Sequence, residues 1–218
     1  MKKLFKPLAL AAAVTCAMTS TSVIAYEAGD IVVRGGVTQV AADASSSTVA
    51  VDGGAVNGAH VDVDDATQLG LTLGYMYSDR LGVELLLATP FKHRVSGTGV
   101  LDGVDVAEVE QLPPTLSVIY YFNEKAAFKP YVGAGINYTT FFSEESKIGG
   151  GADLDDSFGL ALQVGADYQI NKNLHVNASV RWIDIETDAT LTGTDLGRVT
   201  TSVDIDPMVY SVMLGYSF

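Results

Sequence analysis

Three histidines carry the side chains best suited to proton transfer near neutral pH. Only His93 lies at the end of a predicted strand next to a long loop, and its nearest hydroxyl group is that of Ser96. A serine beside a histidine is an arrangement that nucleophilic catalysis uses, provided that an acidic side chain orients the imidazole. The sequence does not identify such an acid. We therefore predict no catalytic residues and no enzyme, with acyl-transfer chemistry at His93 kept as a less favoured alternative.

Four charged residues stand within segments in which every second residue is apolar: Arg34, Glu84, Asp167 and Arg181. The period of two is that of a β-strand, so each charge falls on the less apolar face of its strand. If that face is enclosed, an unpaired charge is too costly to keep. We expect Arg34 and Arg181 to neutralise Glu84 and Asp167 in one polar network, which either closes a passage or only stabilises the fold.

Acidic residues concentrate between the alternating segments, in a chain whose net charge is −13. They are Asp52, Asp62, Asp64, Asp65, Asp102, Asp105, Glu108, Glu110, Glu144, Glu145, Asp153, Asp155, Asp156, Glu186, Asp188 and Asp195. Their oxygens suit Ca²⁺ or Mg²⁺, yet residues 62–65 lack the glycine and the distal glutamate of a calcium loop. Solvation is favoured over a cation site, so no metal and no cofactor are predicted. The negative charge also argues against a nucleic acid as partner.

The last ten residues alternate between apolar and small or polar side chains and end on an aromatic residue. This pattern is typical of a membrane β-strand, which turns one row of side chains to lipid and the other to the interior of a closed barrel. Tyr216 and Phe218 close the apolar row. An aromatic C-terminal residue in such a row resembles the signal by which the outer-membrane barrel assembly machinery recognises its clients.

Seven further segments show strand patterns, which makes eight strands in total. The predicted strands cover residues 28–40, 66–78, 81–92, 109–122, 127–142, 155–170, 174–182 and 198–218. Short connections at 78–80, 123–125 and 171–173 alternate with long ones at about 42–65, 93–108, 143–154 and 187–197. The fold class is therefore all-β, an eight-stranded antiparallel transmembrane β-barrel with short periplasmic turns, long extracellular loops and both termini in the periplasm. A soluble lipocalin-like barrel is the alternative, but its apolar row would face inward.

The first 25 residues have the features of a secretory signal peptide. Lysines at positions 2, 3 and 6 precede an apolar stretch from Leu8 to Met18, and Val23–Ala25 offers a small-residue cleavage site. Cleavage there leaves a barrel domain of residues 26–218 that begins at Tyr26 and carries a net charge of −16. The only cysteine, Cys16, lies in the leader, so disulfides do not hold the domain together. Thr15 before it argues against a lipoprotein.

Prolines interrupt two strands that are neighbours in the predicted wall. Pro90 lies in the third strand and Pro113–Pro114 in the fourth, and each removes a hydrogen-bond donor from the ladder. Counted from the flanking short turns, these positions fall at similar heights. Unsatisfied backbone groups are costly in hydrocarbon. We expect either a lateral opening, through which an apolar solute leaves the interior for the bilayer, or a bulge that adjusts the curvature of the barrel.

An eight-stranded barrel has room for side chains or for one small ligand, but not for a water-filled pore. We expect the four charged residues to form a polar plug in the half of the interior near the short turns. Above the plug, a narrow apolar pocket is predicted. Its candidate lining residues are Met76, Leu86, Ala88, Ile119 and Met213.

Several segments resemble the outer membrane protein W (OmpW) family. They are TQLGLT at 67–72, GVELL at 82–86, ATPF at 88–91, LPPTL at 112–116, KPYVGAGINY at 129–138 and QVGADY at 163–168. The resemblance covers nearly the whole chain after the leader. YVGAG is shared by many small barrels, whereas the diproline strand together with ATPF is specific. The resemblance implies an eight-stranded outer-membrane barrel that admits small hydrophobic molecules.

These observations predict a narrow channel or pocket in the bacterial outer membrane for passive passage of small hydrophobic molecules, with lateral exit into the bilayer. The alternative is a non-transporting surface barrel that supports envelope stability or serves as a docking target for a phage, a bacteriocin or a host molecule. Expected partners are outer-membrane lipids and lipopolysaccharide, the barrel assembly machinery and small hydrophobic solutes. Lys92 and Arg94 are interpreted as contacts to lipid phosphates.

Overall fold

The computed structural model describes residues 26–123, 126–194 and 197–218. The predicted leader, Glu124 and Lys125 of one predicted turn, and Asp195 lie outside the described residues. Within the described ranges, no helix is long or apolar enough to cross a membrane. In chain order the strands are β1 (Ile31–Ala41), β2 (Ser45–Ser46), β3 (Ala50–Val51), β4 (Gly54–Ala55), β5 (Ala59–Val63), β6 (Ala66–Met76), β7 (Leu81–Ala88), β8 (Phe91–Gly99), β9 (Asp105–Leu112), β10 (Thr115–Tyr121), β11 (Phe128–Ser146), β12 (Gly151–Leu154), β13 (Ser157–Gln169), β14 (Leu174–Ile183), β15 (Glu186–Thr194), β16 (Gly197–Asp204) and β17 (Met208–Ser217).

Eight of these strands close into an antiparallel barrel. Around the wall their order is β1, β6, β7, β10, β11, β13, β14 and β17. The last strand pairs with the first, from Val32 opposite Ser217 to Ala41 opposite Met208, and this pairing closes the ladder. Closure lets neighbouring strands satisfy each other's backbone groups, which a strand in hydrocarbon requires. The predicted eight-stranded antiparallel barrel is therefore confirmed.

The two faces of the wall differ in polarity as the period of two predicts. On β13, Phe158 and Leu160 face outward and are 69% and 60% exposed, whereas Gln163 and Asp167 face inward and are buried. The apolar row is thus on the outside, and the soluble lipocalin-like alternative is wrong. The C-terminal aromatic rings also belong to the outer row, with Phe218 70% exposed.

The long connections differ from the prediction because much of their length forms strands. One sheet, here called the proline-side sheet, consists of β5, β8, β9 and the far end of β11. A second, the opposite sheet, consists of β2, β3, β4, β12, β15 and β16. The predicted last strand accordingly splits into β16 and β17 around Pro207. These strands resemble loops in sequence because many of their outward-facing residues are acidic or small.

A hydrophobic core lies between the two sheets, at the long-loop end of the barrel. Phe91 and Val61 from the proline-side sheet and Leu191 and Val203 from the opposite sheet are among its buried residues. Each sheet therefore has one apolar and one solvated face. The molecule has an apolar interior at its long-loop end and a polar interior at its short-turn end.

Candidate functional site

Arg34 is the centre of a buried polar network inside the barrel. Its Nη1 donates a hydrogen bond to Oε2 of Glu84 at 2.7 Å, and its Nη2 donates to Oδ2 of Asp167 at 2.9 Å and to the hydroxyl of Tyr121 at 2.7 Å. Its Nε lies 3.1 Å from Nε2 of His175. All five residues are buried. Most of the donors of this guanidinium are therefore used within the barrel interior.

The second arginine pairs with the same glutamate. Nη2 of Arg181 donates to Oε1 of Glu84 at 3.0 Å and also to the side-chain carbonyl of Gln163. The structure thus brings the four predicted charges, two cations and two carboxylates, into one network. A lone charge in this interior would be strongly destabilising, which explains why the pairs occur together.

Residues that the sequence analysis did not single out, one of them the buried cation Lys129, surround Asp167. The hydroxyl of Tyr26 donates to Oδ2 of Asp167 at 2.7 Å, and Nδ2 of Asn177 donates to Oδ1 at 2.7 Å and to the hydroxyl of Tyr131 at 3.0 Å. Nζ of Lys129 lies 4.5 Å from the centroid of the Tyr26 ring. The alternation of the strands could have identified those on β11 and β14 from the sequence, because Lys129, Tyr131 and Asn177 occupy inward-facing positions.

Glycines on the inward rows make space for these large side chains. A Cβ atom on Gly215 would lie 2.1 Å from Nε2 of His175, whereas one on Gly35, on the neighbouring strand, would have no atom within 4 Å. The absence of a side chain at Gly215 therefore allows His175 to reach Arg34.

We predict that Gly215→Ala lowers the free energy of unfolding by about 1–3 kcal/mol, because the added methyl group forces His175 away from Arg34. Gly35→Ala is the matched control, and its effect is expected to stay within about 1 kcal/mol because the methyl group faces open space. Denaturant unfolding from micelles, followed by the fluorescence of Trp182, measures both. Equal effects of the two substitutions would contradict the packing argument.

The predicted pocket residues do not form one site. Met76 and Ile119 pack with Val32 and the buried tyrosines and lie beside the polar network, not above it as expected. This correction follows from the closeness of Met76 to the short turn after β6. Leu86 and Met213 are buried in the middle of the barrel. Only Ala88 packs against the core at the long-loop end.

An apolar cavity lies instead between the two sheets, nearer to the long-loop end than predicted. It has about 40 Å³ of free space, which is room for about three water molecules. Its lining comes from both sheets and includes Val61, Val63, Val95, Val106, Ala107, Val109, Phe141, Leu154, Ala189, Leu191, Val203 and Ile205. His93, Gln111, Thr187 and Thr201 add polar groups. The sequence signal for these residues was the alternation in Ala59–Val63 and in 199–203.

The prolines coincide with a break in the ladder between the third and fourth strands of the wall. Pairing of β7 with β10 ends at Leu86 opposite Thr115, and pairing of β8 with β9 starts at Phe91 opposite Gln111. Between these pairs, residues 87–90 and residues 112–114 have no ladder pairing with one another, although Leu87, Ala88 and Leu112 pair with the strands on their other sides. Four residues on one side of the break face three on the other, which is typical of a β-bulge. The geometry therefore agrees with both predicted interpretations, a lateral opening and a bulge that adjusts curvature.

Neighbouring strands satisfy several backbone groups at the break. The amide of Thr89 donates to the carbonyl of Leu69 at 3.0 Å, and the carbonyl of Pro114 accepts from the amide of Tyr138 at 3.1 Å and from Nδ2 of Asn137 at 3.2 Å. Each edge of the break is therefore hydrogen-bonded to its other neighbouring strand. Because ladder pairing across the break is missing, the two edges are weakly attached to one another.

The structure does not assemble the alternative sites. His93 is in contact with the carbonyl oxygen of Asp64 and the side-chain amide of Gln111, neither of which is a nucleophile. Nζ of Lys92 lies 2.6 Å from Oε1 of Glu108, so this predicted phosphate contact has a protein partner. Across the described residues, no group of three or more His, Cys, Asp or Glu side chains is arranged to hold a metal ion.

A closed barrel of eight strands, apolar outside and polar inside, defines an integral outer-membrane β-barrel protein. The sequence model of the OmpW family matches residues 27–218, and the chain belongs to this family. The predicted family and the predicted membrane are therefore confirmed.

Individual relatives agree with this assignment. Outer membrane protein W of Vibrio cholerae is 44% identical over 94% of this chain and 96% of its own length. The crystal structure of the outer membrane protein OprG from Pseudomonas aeruginosa superimposes with a TM-score of 0.85 at 42% identity, over 89% of this chain and 98% of that one. A Pseudomonas aeruginosa protein named dibenzothiophene metabolism operon protein PahQ is 31% identical over 85% of this chain and 87% of its own length.

Proposed function

We propose that this protein passes small apolar solutes passively from the cell exterior into the outer-membrane bilayer. In this proposal the two sheets lie outside the membrane, and the short turns and both termini lie in the periplasm. A solute enters the cavity between the sheets and leaves sideways through the break beside Pro90 and Pro113–Pro114. No step involves catalysis.

The observation that carries the proposal is the position of the apolar cavity between a closed polar plug and an unpaired seam. The network around Arg34 blocks the direct route to the periplasm, because an apolar solute cannot replace its buried hydrogen bonds. The break in the ladder is adjacent to the cavity, since Gln111 lines the cavity and Phe91, its partner, belongs to the surrounding core. Sideways movement through the break is therefore the route that preserves the network.

Elementary energetics agree with a passive process. Removing a methylene group from water gains about 0.8 kcal/mol whether it enters an apolar cavity or hydrocarbon. Transfer of the solute from the cavity to the bilayer therefore changes its free energy little and needs no energy source. The cavity is small, so a solute of two or three fused rings has to move the sheets apart as it enters. The name of the relative PahQ refers to dibenzothiophene, an apolar aromatic compound of this size.

Filling the cavity tests the proposal. Ala189→Phe places a ring among the lining residues and is expected to reduce naphthalene uptake about fivefold or more, because the cavity has little room to spare. The assay uses vesicles with a lipopolysaccharide outer leaflet, with protein-free vesicles as background. Ala134→Phe, on the exposed outer row, is the matched control and should transport like wild type.

Circular dichroism and Trp182 emission establish that each variant is folded. Uptake through wild type no faster than background would contradict the proposal and favour the non-transporting surface barrel. We infer in addition that the outward row ending at Tyr216 and Phe218 is what the barrel assembly machinery binds. This inference is supported by the exposure of both rings on the outer face.

A further inference from the structure

Gln111 is a polar side chain buried at the junction of the apolar cavity and the break. It is 1% exposed, lines the cavity, and lies on β9 immediately before residues 112–114, which have no ladder partner across the break. Its side-chain oxygen Oε1 has no hydrogen-bond partner. A buried carbonyl without a partner is destabilising and is uncommon in folded proteins. This atom therefore calls for an explanation.

Two hydrogen bonds determine which end of the Gln111 amide is free. Nδ1 of His93 lies 2.7 Å from the carbonyl oxygen of Asp64, which can only accept, so Nδ1 carries the proton. Burial lowers the pKa of His93, and the imidazole is neutral at pH 7. Nε2 of His93 is then an acceptor, and Nε2 of Gln111 donates to it over 2.8 Å.

The consequence is a fixed acceptor in a site whose lining is mostly apolar. Because the amide nitrogen faces His93, Oε1 is the atom left for a ligand, and it accepts hydrogen bonds but cannot donate them. A hydrocarbon that fills the cavity leaves this atom unpaired. A solute of the same shape that carries a hydroxyl group satisfies it.

Building on the function proposed above, we propose that Gln111 makes the protein selective for apolar solutes that carry one hydrogen-bond donor, such as aromatic alcohols. Selection takes place where the solute passes from the cavity to the break. His93 is a positioning residue, since it acts only by orienting the Gln111 amide.

The test compares two solutes of similar shape in the lipopolysaccharide-containing vesicles. 2-Naphthol carries a donor, and 2-methoxynaphthalene does not. After subtraction of the protein-free background, we expect wild type to take up 2-naphthol about tenfold faster than the ether. Gln111→Leu should bring this ratio close to one, because uptake of 2-naphthol loses the hydrogen bond that favours it over the ether. Gln39→Leu, on the outer side of β1, is the matched control and should keep the wild-type ratio.

A binding measurement separates this inference from the function on which it rests. In nanodiscs, 2-naphthol should shift the side-chain amide resonance of Gln111, and the ether should not. Equal ratios in wild type and Gln111→Leu, or an amide resonance that does not respond to 2-naphthol, would overturn the inference. If neither solute enters faster than background, the proposed transport is wrong, and the resonance still decides whether Gln111 binds a donor.

Discussion

Uptake of an apolar solute should fall to background when the two edges of the break are covalently joined. The variant carries Thr89→Cys and Leu112→Cys, linked by a short bifunctional thiol reagent. No other cysteine occurs in residues 26–218. These positions lie on opposite sides of the unpaired segment, so a link between them prevents the edges from separating. Thr115 is less suitable because it is buried and already paired with Leu86 below the break.

A second pair of cysteines controls for cross-linking itself. Val37→Cys and Leu69→Cys lie opposite each other on β1 and β6, on the exposed outer row of a fully paired seam. Linking them should leave naphthalene uptake at the wild-type rate. A monofunctional thiol reagent on the first variant controls for added bulk. Undiminished uptake through the linked break would show that the solute leaves by another route and that the break serves only curvature.

Replacement of Arg34 by methionine should lower the free energy of unfolding by about 3–5 kcal/mol, because removal of one partner leaves a buried charge uncompensated. The two carboxylates are affected differently. Glu84 keeps its contact with Arg181, whereas Asp167 loses its contact with Arg34 and keeps the hydrogen bonds from the neutral groups of Tyr26, Tyr121 and Asn177. Denaturant unfolding followed by Trp182 fluorescence measures the change.

Two further variants make this result specific to the network. Arg94→Met removes an exposed arginine from β8 and is expected to change stability by about 0.5 kcal/mol or less. Adding Asp167→Asn to Arg34→Met removes the stranded charge and should recover at least about 1 kcal/mol. A loss in Arg34→Met no larger than in Arg94→Met would show that the network does not stabilise the barrel.

The division of the interior explains how these two expectations are related. The network closes the short-turn half of the barrel by hydrogen bonds that an apolar solute cannot replace. The break lies on the seam beside the apolar half, where no such network holds the strands together. In the proposed function, stability and passage therefore depend on different residues, and we expect the seam to open without disturbing Arg34.

Much of the barrel could be predicted from strand periodicity alone. The rows of β13 and β17 predicted correctly which face meets lipid, because a period of two is a local property of the backbone. The same rule placed Arg34, Glu84, Asp167 and Arg181 inside. The two sheets were not predicted, since strands such as Ala59–Val63 have one solvated, acidic face and are short. The apolar residues of these strands become part of a core only when the second sheet covers them.

The sequence by itself determined the barrel, the outer row ending at Phe218, the inward position of the four predicted charges and the position of the prolines. Each follows from the chemistry of single residues and their spacing along one strand. Only the tertiary structure decided that the cavity lies between two sheets, that Met76 and Ile119 lie beside the plug, and that Oε1 of Gln111 is left without a partner. These features depend on which distant strands meet, and pairing across the barrel is not encoded in the spacing of neighbouring residues.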